Sequence, residues 1–315
     1  SYRPDEGVYI DTTCLDEKSE ELLQELFTKK RVIFHNAKFD IAFFEYHFNF
    51  KFPRFEDTML LHYIIDENSR HGLKELSLKY TKYGDYEKPM YDWMDNYRKQ
   101  TGMLKKDFTW DLIPFDTMYT YASLDAVCTF LLYEKFVKIL GNAKLKSVYE
   151  NILLPGCRFL TDVQDNGVPF DQERLVASQD IMQVDIDKAV AGLYKNPKIA
   201  EFEKIQGKEF NPNSTMQLRA LLFDFIGLQP TGKKTGTGAN STDVEVLTEL
   251  SQKSEVPALI IDIRQKGKIK NTYLDKIIPQ LDRDSRLRTG FNLHTTTSGR
   301  LSSSGKLNMQ QLPRD

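Results

Sequence analysis

Cysteine is scarce in this chain of 315 residues, and the three that occur, Cys14, Cys128 and Cys157, stand singly with no CxxC spacing. Neither a disulfide framework nor a cysteine-built zinc centre is expected, and a reducing compartment is. Long apolar runs are missing as well. None approaches the roughly 18 residues of a membrane span and no signal peptide is visible, so the expectation is a cytoplasmic protein with no membrane partner. Charge of one sign is also lacking: 43 Lys and Arg face 45 Asp and Glu, for a net charge of −2. Any nucleic-acid contact must therefore come from local basic patches. What is present is a 40% hydrophobic content, enough for a core in each of two domains. The chain opens Ser1-Tyr2 without Met, which suggests a boundary inside a longer chain.

The stretch Arg31–Asp40, RVIFHNAKFD, joins an apolar β-run to a carboxylate in the first turn of a helix. Val32, Ile33 and Phe34 form a short buried-strand signal, and Asn36 can cap the helix that follows. Asp40 then sits near the end of a strand, where α/β sheets bind ligands; equally, it could only complement the helix dipole. Upstream, Val8–Ile10 suggests a strand and Asp16–Phe27 an amphipathic helix, giving a strand–helix–strand unit and a parallel sheet over the first 140 residues. The aromatic IAFFEYHFNF segment reads as core, and Asp57-Thr58 as a helix cap. Residues 84–106 lack a period and read as a long irregular connection.

Phe115–Ile139 is a long helix in which Tyr121 and Asp125 fall at i and i+4, placing a phenol and a carboxylate on one face. A solvated Asp beside a core Tyr is the plain alternative. A domain boundary is expected at Leu140–Ser147, followed by helices over Ser147–Gln164 and Asp171–Leu193 and a further helix start at Asn211–Thr215. Pro230–Thr242, PTGKKTGTGANST, reads as a flexible loop; it lacks the GxxxxGK[ST] order and a preceding strand, which excludes a nucleotide P-loop. Its Lys233 and Lys234, with Arg264, Lys266, Lys268 and Lys270 beyond, suit a polyanion backbone or simply a solvated face. Near the end, Arg286–Thr297 alternates as a strand, Ser298–Ser304 is a small-residue turn around Arg300, and Asn308, Gln310 and Gln311 offer amides suited to base edges and sugars.

Six stretches resemble the family A DNA polymerases, those like bacterial DNA polymerase I, in the family's order. HNAKFD is similar to the second exonuclease motif and YASLD, Tyr121–Asp125, to the third. GKEFNPNSTMQL, KKTGTGANSTDVEVLTEL and KIKNTYLDKI resemble successive stretches of the thumb, and TTTSGRLSSSGKLNMQQLP resembles the start of the palm, with one residue added after Ser304. The resemblance implies an α/β exonuclease domain over 1–143, ribonuclease H-like, with a mixed sheet, flanking helices and its first strands missing. A mainly α-helical thumb over 144–283 follows, then the first β-strand region of the palm over 284–315.

It further implies a proofreading 3′–5′ exonuclease in which two divalent ions, about 3.5–4 Å apart, sit on clustered carboxylates. Asp40 and Asp125 match two of the ligands, Tyr121 the phenol that orients the attacking water, and Asn36 the polar residue at the strand end. Mg²⁺ is the expected ion for such hard oxygen donors. The implied partners are primer-template DNA, a single-stranded 3′ end and, for a longer protein, deoxynucleotides; no oligomeric state is implied. The implied DNA contacts are Lys233, Lys234, Asn240, Ser241 and Thr242 in the thumb loop, Lys268, Lys270, Asn271 and Thr272 on the next helix, and Arg300, Asn308, Gln310 and Gln311 near the primer end.

The family's first exonuclease motif, Asp-x-Glu, has no match: in VYIDTT, Thr13 stands at the Glu position and Asp11 lies too near Asp40. The palm carboxylates and the fingers helix would follow Asp315. The expectation is a polymerase fragment with half a metal site, binding metal weakly or not at all. A DNA-binding module with a vestigial nuclease fold is the alternative, and a stand-alone ribonuclease of the same superfold explains nothing after Leu140.

Overall fold

The computed structural model describes residues 1–305 and 307–312. It divides into two compact units, Ser1–Asn166 with Gly290–Ser304, and Gly167–Thr289 with Gly305–Asp315. This division by packing falls later than the functional boundary expected near residue 143, and it places the 290–304 segment with the first unit.

In the first unit, Asp16 opens helix α1 (Glu17–Lys29) by accepting a hydrogen bond from the Ser19 amide at 2.8 Å. Strand β1 (Val32–Phe34) runs through helix α2 (Ala37–Phe48) into strand β2 (Phe55–Asp57), and the two strands pair in parallel with Val32 opposite Phe55 and Phe34 opposite Asp57. Helices α3 (Thr58–Ile65), α4 (Leu73–Tyr80), α5 (Lys88–Thr101) and α6 (Phe115–Ile139) follow. A short α7 (Ala143–Val148) passes through a π-helical turn at Tyr149–Leu153 into α8 (Leu154–Asn166). Ile41, Leu61, Leu132 and Phe136 are fully buried in the core, with Phe34, Phe50 and Phe52 beside them.

The aromatic α2 segment splits between two environments. Phe44 and Phe48 pack on Phe50 in the core, whereas Phe39, Phe43 and Tyr46 are exposed.

Three expectations are corrected here. Val8–Ile10 forms no strand; Val8 and Ile10 are exposed, while Tyr9 packs edge-on against Phe115 and Tyr119. The β–α–β unit is therefore β1–α2–β2, and among the described residues the expected mixed sheet is a parallel pair. The 84–106 connection contains α5, which starts with Pro89 in its first turn and ends at Gly102 in the left-handed region; amphipathic Met90, Trp93 and Tyr97 carry it. The helix expected over 147–164 is present, continuous from α7 through the π turn into α8.

The second unit begins with Gly167 at φ +61°, where an added Cβ would lie 3.0 Å from the Leu287 carbonyl oxygen. Gly167→Ala is accordingly expected to cost about 1–2 kcal/mol of stability, read as a lower urea midpoint. Strand β3 (Val168–Pro169) pairs antiparallel with β4 (Arg286–Leu287). Between them lie α9 (Gln172–Tyr194), α10 (Pro197–Gln206), α11 (Thr215–Arg219) with a π turn at Ala220–Phe225, α12 (Val244–Ser251), α13 (Glu255–Lys268) with a π turn at Ile269–Leu274, and α14 (Asp275–Ile277). Leu193, Ile199, Leu218, Leu221, Leu222, Leu250 and Ile260 form their fully buried core. The mainly helical build expected for this part of the chain is what these residues show.

The third correction concerns the end of the chain. Arg286–Thr297 is not one strand: it breaks after β4, and β5 (Gly290–Asn292) pairs antiparallel with β6 (Ser302–Ser304), so part of the expected turn is itself a strand. Lys306 and Pro313, part of the quoted palm segment, lie outside the described residues.

Candidate active site

Helix α2 brings Asp40 to its first turn, but not through the cap the sequence suggests. Asn36 occupies the N-cap position in the left-handed region, φ 67°, and its side chain makes no capping bond. The capping carboxylate comes from the neighbouring strand. Asp57, 2% exposed, accepts hydrogen bonds from the amides of Asn36 at 3.2 Å and Ala37 at 2.8 Å, and also from Met59 at 2.9 Å and Leu60 at 3.3 Å. One side chain thus caps α2 and α3 together. The sequence signals only the second of these, because the first depends on strand pairing.

Burial above all, and then the charges of Asp57 and Asp125, push the Asp40 carboxyl up to about 7. Burial also raises Asp125, opposed by two nearby phenols: Tyr86, which donates a hydrogen bond to it, and Tyr121. Tyr121 lies one turn before Asp125 on α6, as the spacing predicts. Tyr86 stacks beside it with ring centroids 6.4 Å apart, and the Trp110 ring lies 6.3 Å from it. Tyr86 was not singled out by the sequence: it sits outside any periodic pattern, and nothing local connects it to Asp125.

Asp40 and Asp125 are hard oxygen donors of the kind Mg²⁺ takes. Asp57 is not available as a third, since four amides occupy its oxygens. Among the described residues, no group of three or more His, Cys, Asp or Glu side chains is arranged to hold a metal ion. The donor chemistry fits the ion, with two carboxylates present. Asp11 stands apart from them, capping a turn at Thr12–Cys14.

Alongside the first turn of α2 runs an open cleft of about 380 Å³, lined by Asn36, Lys38, Phe39, Phe43, Gln164 and Asn292 among others. Lys38 is buried and donates to the Gln164 side chain at 2.8 Å and to the Phe291 carbonyl, tying α2 to α8 and β5.

The 3′–5′ exonuclease family profile matches residues 1–141, and that of DNA polymerase family A matches residues 188–315. The chain belongs to DNA polymerase family A. It is 46% identical over its whole length to the DNA polymerase of Escherichia phage T5, of which it covers 38%, and 32% identical over 88% of its length to DNA polymerase I of Rhizobium leguminosarum, of which it covers 26%. The chain thus spans well under half the length of these relatives. The fold is similar to the polymerase domain of Pol1 from M. smegmatis, solved with primer-template DNA and dNTP, at a TM-score of 0.73 and 24% identity, covering 97% of this chain and 47% of that one.

In this family A chain the expected DNA-contact residues fall into different surroundings. The Pro230–Thr242 segment is a loop, as its composition suggests, and it is tied together internally. Lys234 and Asn240 form a β-bridge, Thr235 donates its amide to Ala239 at 2.8 Å, and Ser241 donates its amide to Lys233 at 2.9 Å. Lys233 is engaged by Asp243 at 2.9 Å and Glu245 at 2.5 Å, and Lys234 by the Asn240 side chain at 2.5 Å. Ser241 and Thr242 are buried; the Thr242 carbonyl accepts from Arg264 at 2.9 Å, and the Asn240 carbonyl from Arg219 at 2.7 Å. Lys268 and Asn271 are exposed, Thr272 is half-buried, and Lys270 pairs with Asp275 at 3.0 Å within the π turn. Arg300 and Gln311 are exposed at their surface, as is Gln310, while Asn308 caps the turn Met309–Gln311.

Proposed function

We propose that the chain is part of a template-directed DNA polymerase in which residues 1–143 form a 3′–5′ proofreading exonuclease, 144–283 the thumb and 284–315 the start of the palm. The observation that carries the reading is the partly buried Asp40, whose carboxyl is raised by the charge of Asp125, with Tyr121 one turn before Asp125 on α6. The site acts on a single-stranded 3′ end. The protein works in the cytoplasm of a bacterial or phage-infected cell; no helix among its described residues is long and apolar enough to cross a membrane.

Asp40 and Asp125 each offer an oxygen to Mg²⁺, which when bound supplies a water of lowered pKa and charge stabilisation at the leaving oxygen. Tyr121, beside Asp125, orients the attacking water. Asn36 hydrogen-bonds the terminal nucleotide, and the exposed rings of Phe39 and Phe43 give bases a surface on which to stack. With two carboxylates as donors, this chain alone is expected to hold the ion weakly and to be inactive or very weak.

The test uses the intact polymerase with a 5′-labelled single-stranded oligonucleotide. Mg²⁺ is expected to produce a ladder shortened one nucleotide at a time from the 3′ end, and its removal with EDTA to stop it. Internal cuts, or degradation indifferent to EDTA, would contradict the reading. On the thumb and palm, Lys268→Ala and Arg300→Ala are each expected to weaken primer-template binding and to lower the slope of log affinity against log salt by about 1. Fluorescence anisotropy across a salt series measures this.

A further inference from the structure

We propose that Asp57 is a positioning residue for the exonuclease site, setting the place of Asp40 by capping, from strand β2, the helix on which Asp40 rides. The proposal rests on the exonuclease reading above. Asp57 has the geometry for it. Its backbone is fixed twice, by the pairing of β2 with β1, where Asp57 lies opposite Phe34, and by its amide, which donates to the Tyr149 phenol at 3.0 Å. Tyr149 in turn donates to Glu56 at 2.8 Å, so the strand end is clamped from the π turn.

From that fixed base the carboxylate reaches in two directions. One oxygen accepts from Asn36, Met59 and Leu60; the other accepts from Ala37. The start of α2 has no cap of its own, because Asn36 sits at φ 67° with its side chain unbound to the helix amides. The helix therefore takes its start point from Asp57, and Asp40 lies within its first turn. A displacement of about 1 Å at a reacting group can cost on the order of 10²-fold in rate, so a cap that fixes the first turn also fixes the chemistry. Asp57 does this without touching the substrate, since its oxygens are occupied and it is buried.

Two substitutions separate the two caps. Asp57→Ser keeps a good N-cap for α3 but is too short to reach Ala37. Asp57→Asn keeps the acceptor for Met59 and Leu60 but turns an amide NH₂ toward the Ala37 N–H. In the intact polymerase, both variants are expected to lower kcat for 3′-nucleotide release from about 30- to 100-fold, with KM for the single-stranded DNA within 3-fold and polymerisation within 2-fold. Amide hydrogen exchange, read whatever the activity, is expected to speed at Ala37 by 10-fold or more in Asp57→Ser while Met59 stays protected.

A kcat within 3-fold of the parent, a loss confined to KM, a parallel loss of polymerisation, or unchanged exchange at Ala37 would each overturn the proposal. Asp40→Ala is run beside them. If it leaves nucleotide release unchanged, the exonuclease reading fails; if it abolishes release while the Asp57 variants do not, only the positioning role fails.

Discussion

Replacing Asp40 or Asp125 by alanine is expected to lower 3′-nucleotide release by the intact polymerase on the order of 10³-fold or more, about 4 kcal/mol of transition-state stabilisation. Each is proposed to hold the ion directly, and the charge of Asp125 is one of the causes that raise the Asp40 carboxyl. Tyr121→Phe and Tyr86→Phe remove phenol hydroxyls beside Asp125, not donors to the ion, and are expected to cost roughly 10-fold each. Quench-flow release of a labelled 3′ nucleotide gives the four numbers. The pH dependence has a definite sign. Asp40 is held up to about 7, so below that pH protons compete with the ion, and the Mg²⁺ needed for half-maximal rate rises as pH falls from 8 to 6.

The second large effect is acid sensitivity of the first unit. All five histidines belong to this unit, and four of them are held in its packing: the His62 and His71 Nδ1 atoms lie 2.8 Å apart, His71 faces His294 at 6.1 Å between ring centroids, and His35 is 2.8 Å from the Thr58 hydroxyl. Burial, the largest cause in each, pulls His35, His62 and His294 down to about 4, and lowers His71. Folded, these rings are neutral; unfolded, they take protons below about 6.5. The unfolded chain binds more protons, so their contribution is intact above pH 6.5 and is lost as pH falls toward 4. Asp40 runs the other way, since its raised value relaxes a cost as pH falls. A difference isolates the histidines. Between pH 7 and pH 5 the parent is expected to lose more stability than a His35→Gln, His294→Gln variant, by roughly 2 kcal/mol per histidine replaced. Urea unfolding at the two pH values measures it, and equal losses would contradict it.

The sequence made the site's skeleton readable where chemistry follows local spacing. Tyr121 and Asp125 fall one turn apart on a long periodic helix, and Asp40 follows an apolar strand; both placements appear in the structure. What stayed hidden depends on residues distant in sequence. Asp57 reaches the amides of α2 only because β1 and β2 pair, and Tyr86 reaches Asp125 from a segment without a period. The misread strand at Val8–Ile10 shows the same limit from the other side: β-branched residues favour a strand only if another strand is there to pair with. Lys233 is a similar case. Its composition suggested a free cation, but Asp243 and Glu245, both near it in sequence, engage it. The DNA-contact expectation for that loop therefore rests on its shape and backbone more than on that charge.

Asp40 and Asp125 are proposed to hold one catalytic metal site. Manganese titration followed by electron paramagnetic resonance tests it most directly, comparing the intact polymerase with its Asp40→Ala, Asp125→Ala variant, each bound to a single-stranded 3′ end. The variant is expected to bind less Mn²⁺ than the parent while its polymerisation is retained. Equal Mn²⁺ binding by the two proteins would contradict it.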